Sequence, residues 1–563
     1  MNSILSRYRS KILTGIMIFM LCLSMIATDT AATSASSAAS GGDGDGVRIE
    51  ALHHASTSTV DASEVITATS SSSEKSSGAG GGPGGSGGPG NGSQGGSAPG
   101  GADTQSYDYS GSYTGALTAD GKTVTKKDTS ITASDKDQNA VLAQNGGTLK
   151  LNRVRIKKSG SDEDGDNCNF YGVNSSALAA GSGSKLYIKN SGIYSTSTGS
   201  NGIFATDSAR VYVNNTKITT TSGGNSRGLD ATYGGRIYGN RLTVSTEGDH
   251  SAALATDRGG GYISVTNSTL KTRGSGSPLI YSTGDIEVDN VKGTASGSQI
   301  AGMEGKNRIL INNSTLTSTN DAISGSDPIK NGIILYQSTS GDADTSADEA
   351  SVFEAYDSTL RTSITSGAMF YVTNTDAKVI LQNTKLDFDS DNVYLVNASG
   401  NSSNNWGTSG SNGGTLSLLA KKEALAGDIY TDGISSVDLY LTKGSSWTGQ
   451  TDGEANTSVT VTKGSKWVVT GDCTVSSLNL ASGAKLVDEN GKTVSVVANG
   501  KTVVKGKSSV TVTVSGTYST TASVPSSAKA SGGTIKRTAF DEYFGTSTTM
   551  GENAGKRRGA VVQ

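Results

Sequence analysis

The sequence predicts an all-β chain wound as a right-handed parallel β-helix, with three strands per coil. Three observations predict it. First, one template, apolar-x-apolar-x-Asn-x-x-apolar, recurs with its leading residue at Leu149, Leu186, Val211, Ile237, Ile263, Ile286, Ile309, Phe353 and Val379. The spacings are 37, 25, 26, 26, 23, 23, 44 and 26 residues, so the base period is 23–26 with two insertions. A fixed period of that length marks stacked supersecondary units. Second, the repeat from Asn201 to Gly224 holds three short alternating runs, Ile203 to Thr206, Arg210 to Val213 and Lys217 to Thr221, separated by polar corners. Alternation with Thr, Val, Ile and Tyr is a strand pattern. Third, no span beyond the leader carries a helical apolar stripe.

The fifth template position is the corner. Asn190, Asn215, Asn267, Asn290, Asn313 and Asn383 occupy it in six repeats, with Arg153, Arg241 and Asp357 in the others. Asparagine tolerates left-handed backbone and bonds to nearby polar groups. Stacked asparagines at one corner are therefore expected to form a structural ladder.

In chain order, residues 1–32 have the composition of a secretory leader: Arg7, Arg9 and Lys11, an apolar run from Ile12 to Ile26, and small residues at Thr30 and Ala32. An uncleaved membrane anchor is the alternative. Residues 33–105 are rich in Gly and Ser and are expected to be a disordered tether, too poor in apolar groups to form a core. Residues 106–138, with Tyr107, Tyr109 and Tyr113, are expected to cap the stack. The main stack is expected over residues 139–412, broken by insertions at 158–170, 338–350 and 398–413. Residues 413–515 carry a shorter template, seen in VDLYLTKGSSW, SVTVTKGSKW and SLNLASGAKL, and are expected to extend the stack. Residues 516–563 are low in apolar content and are expected to form a loose tail. No membrane barrel, sorting signal or apolar C-terminal anchor is recognisable, so a one-chain autotransporter is not expected.

The coil length and asparagine ladder resemble right-handed parallel β-helix proteins of the pectin-lyase-like superfamily. The chain is most similar in style to Gly/Ser/Thr-rich, adhesin-like bacterial surface proteins. The resemblance covers about residues 141–497. It implies a secreted or cell-surface protein, with a polysaccharide or a cell-surface protein as partner. It also raises polysaccharide cleavage. Hydrolases of the superfamily carry, in order, Asn-x-Asp, Asp-Asp, Gly-His-Gly and Arg-x-Lys. Here Asn374-Thr375-Asp376 and Arg155-Ile156-Lys157 occur in the reverse order, and the other two motifs do not occur. The carboxylate pair of glycoside hydrolysis therefore has no signature.

Forty-seven Lys and Arg against 50 Asp and Glu give a net charge of −3, which suggests no basic face and no nucleic-acid partner. Cys168 and Cys473 lie about twelve coils apart, too far for a disulfide. One polar cluster could carry chemistry: Arg227 and Asp230 with His250, Asp257 and Arg258, on neighbouring rungs if Ala231-Thr232 aligns with Ala255-Thr256. It fits a base and its orienter or a sugar site. Corner salt bridges are the structural alternative. Asp162, Asp164 and Asp166 are spaced as in a calcium loop, although Val173 stands where an EF-hand has its closing glutamate. The first strand of each repeat is apolar on both alternating sets, with Phe204, Leu254, Tyr281 and Tyr371 among them. With Trp406 from the inserted loop, these residues form either a contact stripe or a face covered by the chain itself.

Overall fold

The computed structural model describes residues 105–160, 165–344, 350–530 and 533–550. The leader, nearly all of the tether, Asp162 and Asp164 lie outside the described residues.

The chain is nearly all-β, and its sheets are long and parallel. From Gly115–Asp120 to Lys485–Asp488 the strands pair in parallel with their equivalents one repeat away, an arrangement compatible with a parallel β-helix, and beyond them Ser495–Ala498 and Lys501–Val504 form an antiparallel pair. The template positions are the register: Leu149, Leu186, Val211, Ile237, Ile263 and Ile286 follow one another rung by rung. All six are buried in one continuous core. A single repeat has no interior of its own, so each apolar row is removed from water only by its neighbours. The first strands form a thirteen-stranded parallel sheet, from Gly115–Asp120 to Thr451–Gly453, among the described residues. The shorter template continues the stack, with Trp447 in register with Trp467 and Trp467 with Leu486. The two indoles stack at 4.8 Å, and their N–H groups donate to the carbonyls of Gly427 and Gly449.

The expected cap contains a full rung. Thr123–Ala133 pairs along its length with Thr148–Lys158, placing Val124 beside Leu149 and Ile131 beside Ile156. Its template is disguised because Lys126 stands at an apolar position and Asp128 at the corner.

The corner residues are left-handed: Asn190, Asn215, Asn267, Asn290, Asn313 and Asn383 have φ between 46° and 54°. Their side-chain amides donate along the stack, Asn215 to Asn190 at 2.8 Å and Asn290 to Asn267 at 2.7 Å. Asn267 donates to Asn240, and Asn383 to Asp357. A second ladder stands beside the first. The hydroxyls of Ser191, Ser268, Ser314 and Ser358 each accept the backbone N–H of the preceding rung, from Val154, Leu242, Val291 and Ser314. The sequence carries it as the repeated Asn-Ser-Thr-Leu at Asn267 and Asn313 and as Asp-Ser-Thr-Leu at Asp357.

Three outward faces follow from the three strands of each repeat, and the chain covers two of them. The first-strand face is roofed by its own segments. Tyr113 packs on Leu142, Leu178 and Phe204. Trp406, from the 398–413 insertion, stacks on Tyr336 at 4.4 Å beside Ile334 and Tyr371. Of the two readings left open for this face, the described structure has self-cover. The second-strand face is crossed by the C-terminal segment, so the expected loose tail is corrected as far as Met550. Phe540 and Ile535 pack on Tyr212 and Tyr238, and Met550 packs on Leu310, Tyr356, Ile380 and Leu419. Its few apolar residues suffice because they meet a surface that is already apolar and stacked. Among the described residues no segment covers the third-strand face.

Candidate functional site

The residues singled out for chemistry converge under the roof of the first-strand face. In that sheet the outward row runs Leu178, Phe204, Asp230, Ala255, Tyr281. Asp230 thus faces Ala255, and Ala231 pairs with Thr256, one residue away from the expected alignment. That slip matters because side chains alternate between faces. Leu254 pairs with Leu229 and Ile280 and points into the inner core.

Asp230 interrupts an apolar row beside Arg227, which lies between it and the insertion at 158–170. The short helix Gly165–Phe170 carries Asn169 and Phe170 against the sheet. The guanidinium of Arg227, fully buried, donates to Asn169 Oδ1 at 3.2 Å and to Asp257 Oδ2 at 3.0 Å, and lies 3.5 Å from Asp230 Oδ2. Its backbone N–H donates to Asn201 Oδ1 at 2.8 Å. The helix is tied down further by Thr232, whose hydroxyl donates to the Phe170 carbonyl at 2.8 Å.

Two carboxylates share this one guanidinium, and both are cut off from water. Burial pushes the Asp230 carboxyl up to about 7, against the pull of Arg227 and of the Ala231 N–H. Burial also drives Asp257 well above the usual carboxylate range, with Arg227 opposing and Asp342 and Asp230 adding to the rise. Burial lowers the proton affinity of Arg227, but Asp230 and Asp257 outweigh it, and the guanidinium stays charged. One cation compensates one anion, so the second carboxylate takes up a proton at a pH where an exposed aspartate would not.

Arg258 leaves this cluster. It lies over the Phe170 ring, 3.6 Å from its centroid, and donates to Asp342 Oδ1 at 2.9 Å in the second insertion. That insertion is fixed by Glu304: one carboxylate oxygen accepts from Tyr281 at 2.8 Å and Tyr336 at 3.0 Å, the other from Ser338 and from Ser340 at 3.1 Å. Burial raises Glu304 and Asp342 raises it further, while the hydroxyls hold it down. His250 stands apart at the corner before the strand Leu254–Thr256, left-handed at φ 50°, its N–H donating to the Ser275 carbonyl.

The structure therefore joins Arg227, Asp230 and Asp257, routes Arg258 to Asp342, and sets His250 at a corner. Phe204, Leu254, Tyr281, Tyr371 and Trp406, expected as a binding stripe, are all at most 2% exposed, so no external ligand reaches them in this fold. Asp166 opens the short helix. Among the described residues no three His, Cys, Asp or Glu side chains are placed to hold a metal ion. Cys168 and Cys473 are both buried.

A groove of about 630 Å³ lies beside the same turns, lined by Gly259, Gly260, Gly261, Tyr262, Lys306 and Arg308 among others. Its cations are already engaged, Arg308 with Asp285 and Glu287 and Lys306 with Asp376. Among the described residues no helix is long and apolar enough to cross a membrane. The chain matches no protein-family model and no curated protein.

Proposed function

We propose that the chain is a secreted or surface-displayed bacterial protein of the adhesin-like kind, a right-handed parallel β-helix that holds a ligand and does not cleave it. The in-register stack and the asparagine corner support the resemblance to the pectin-lyase-like superfamily at the level of fold. In this reading the Gly/Ser-rich residues 33–105 tether the stack behind a leader, and the partner is a glycan or another surface.

The observation that carries the choice between binding and cleavage is the sealing of Arg227, Asp230 and Asp257. Their residue types suit acid–base chemistry, but at 0–1% exposure they meet no substrate. Arg227 joins Asp257 to Asn169 of the 158–170 insertion and lies 3.5 Å from Asp230, which is a structural role. Sealing of this cluster supports binding over the lyase or hydrolase reading that was placed on it.

The test is incubation of the full chain with a panel of plant, host and bacterial polysaccharides, scoring retained protein and released fragments in the same tubes. Retention without fragments is expected. Fragments that disappear with Asp230→Asn or His250→Ala would overturn the reading in favour of an enzyme. No retention on any member would leave a spacer.

A further inference from the structure

The third strand of each repeat presents the one long face that no described segment covers. Its register runs over ten rungs, from the Thr123–Ala133 rung to Lys385–Asp387. Two side-chain rows point outward on it. One carries Arg155, Lys217, Lys292 and Lys385. The other carries Lys157, Lys271 and Arg361, and ends in the face's single carboxylate, Asp387. The remaining positions are hydroxyls, such as Thr243, Thr269, Thr294 and Thr315, apart from Gly192 and the 44%-exposed Tyr194. None of these residues is buried.

Seven cations against one anion leave +6 on a face of a chain whose net charge is −3. Arg361 and Lys385 share Asp387. Among the described residues Arg155, Lys157, Lys217, Lys271 and Lys292 form no ion pair. The pairs along the margins, Arg153 with Asp128 and Arg273 with Glu247, are neutral and do not offset the charge. The expectation that a basic face is missing is therefore corrected. Charges scattered at intervals of 20 or more residues are gathered into two lines by the register.

We infer that this face binds a linear glycan bearing sulfate or phosphate ester groups, laid along the stack across the rungs. The inference rests on the binding reading above and names its site and ligand class. Rungs are about 4.8 Å apart, so ten rungs span roughly 43 Å; within one row the cations recur every two to four rungs, about 10–19 Å, and with both rows taken together the cation-bearing rungs step along the axis by one or two rungs, about 5–10 Å. That is the scale on which charges repeat along a substituted sugar chain. Lysine outnumbers arginine, and its ammonium is a point charge with three rotatable donors, suited to a tetrahedral ester oxyanion. The two arginines present forks that match phosphate and carboxylate alike. The threonine and serine hydroxyls between the cations match sugar hydroxyls. A nucleic acid is disfavoured because one tyrosine is no stacking platform for bases, and a flat sheet offers nothing to enter a groove.

The experiment compares the full chain with a variant carrying Lys157→Gln, Lys217→Gln, Lys271→Gln and Lys292→Gln. These side chains are exposed and unpaired, so the variant is expected to melt as the parent does. Retention is measured on a sulfated glycan, a phosphate-bearing glycan, a polyuronate, a neutral glycan and duplex DNA, at 50 and 200 mM salt. The expected result is retention on one or both ester-bearing glycans, at least tenfold weaker at the higher salt and at least tenfold weaker in the variant. Equal or stronger retention on polyuronate or DNA would overturn the inference, as would parental retention by the variant. Retention on the neutral glycan alone would overturn it while the binding reading stands. Retention on nothing would end both.

Discussion

The guanidinium of Arg537 donates to the carbonyl of Ser264 at 2.6 Å, and its other terminal nitrogen donates to the carbonyl of Gly239 at 2.8 Å. These partners precede it by 273 and 298 positions. A side chain from the last described segment thereby fastens two rungs of the central stack. It is 2% exposed, and burial lowers it to about 10, still protonated at neutral pH.

Arg537→Ala should release the C-terminal segment while leaving the stack folded. Hydrogen bonds from a charged donor contribute about 1.5–3 kcal/mol each, and the substitution removes those to Ser264, Gly239 and Thr548. Limited proteolysis should then cut within residues 520–550 much faster than in the parent, with the melting of the resistant fragment little changed. Unaltered cleavage would show that Phe540, Ile535 and Met550 hold the segment without the arginine.

Corner geometry sets the second expectation. Asn267 sits at φ 51°, donates to Asn240 and accepts from Asn290. Asn267→Ala should cost about 1–2 kcal/mol from left-handed backbone alone, plus roughly 1 kcal/mol for the bonds. Asn267→Gly keeps the backbone freedom and should cost only the bonds. Denaturant titration of both variants checks this, and equal losses would refute the conformational part of the argument.

The third concerns pH. Asp230 has its folded value raised to about 7, so the folded state binds the proton more tightly than the unfolded chain does. Stability from this group is complete below the ordinary aspartate value near 3.9. It falls as pH rises and is lost once pH has passed about 7. The parent should therefore lose stability between pH 4 and 7 at this site, and Asp230→Asn, neutral throughout, should flatten that slope. Melting temperature against pH for both chains measures it. An unchanged slope would mean that Arg227 keeps Asp230 ionised.

The fourth concerns the roof. Phe204 is fully buried against Leu142, Leu178 and Tyr113, so Phe204→Ala should cost about 3–5 kcal/mol. It should also loosen residues 107–113, raising amide hydrogen exchange there. A fully folded variant with reduced ligand retention would instead argue that Phe204 meets ligand directly.

The repeat, its register and the asparagine corner were legible in the sequence, because each rung repeats the same local requirement: an inward apolar pair, a left-handed corner, an inward apolar residue. Leu149 to Val379 state it nine times, and repetition separates such a requirement from accident. The serine ladder was missed, although the repeated Asn-Ser-Thr-Leu carries its signal. Leu254 was misplaced because short first strands of three residues, apolar on both sides, carry no alternation to fix which side faces in.

The covers and the charge map were decided only by tertiary structure. Which segment roofs which face depends on contacts between residues such as Arg537 and Gly239, far apart in sequence and linked by no local pattern. The partnership of Arg227 with Asp230 and Asp257 depends on an insertion helix that supplies Asn169 and shuts out water, and burial is what moves their proton affinities. The cationic face exists because Arg155, Lys217 and Lys292 lie several repeats apart in sequence yet fall on one line once the strands stack. Composition counts charges, whereas electrostatics depends on where they stand.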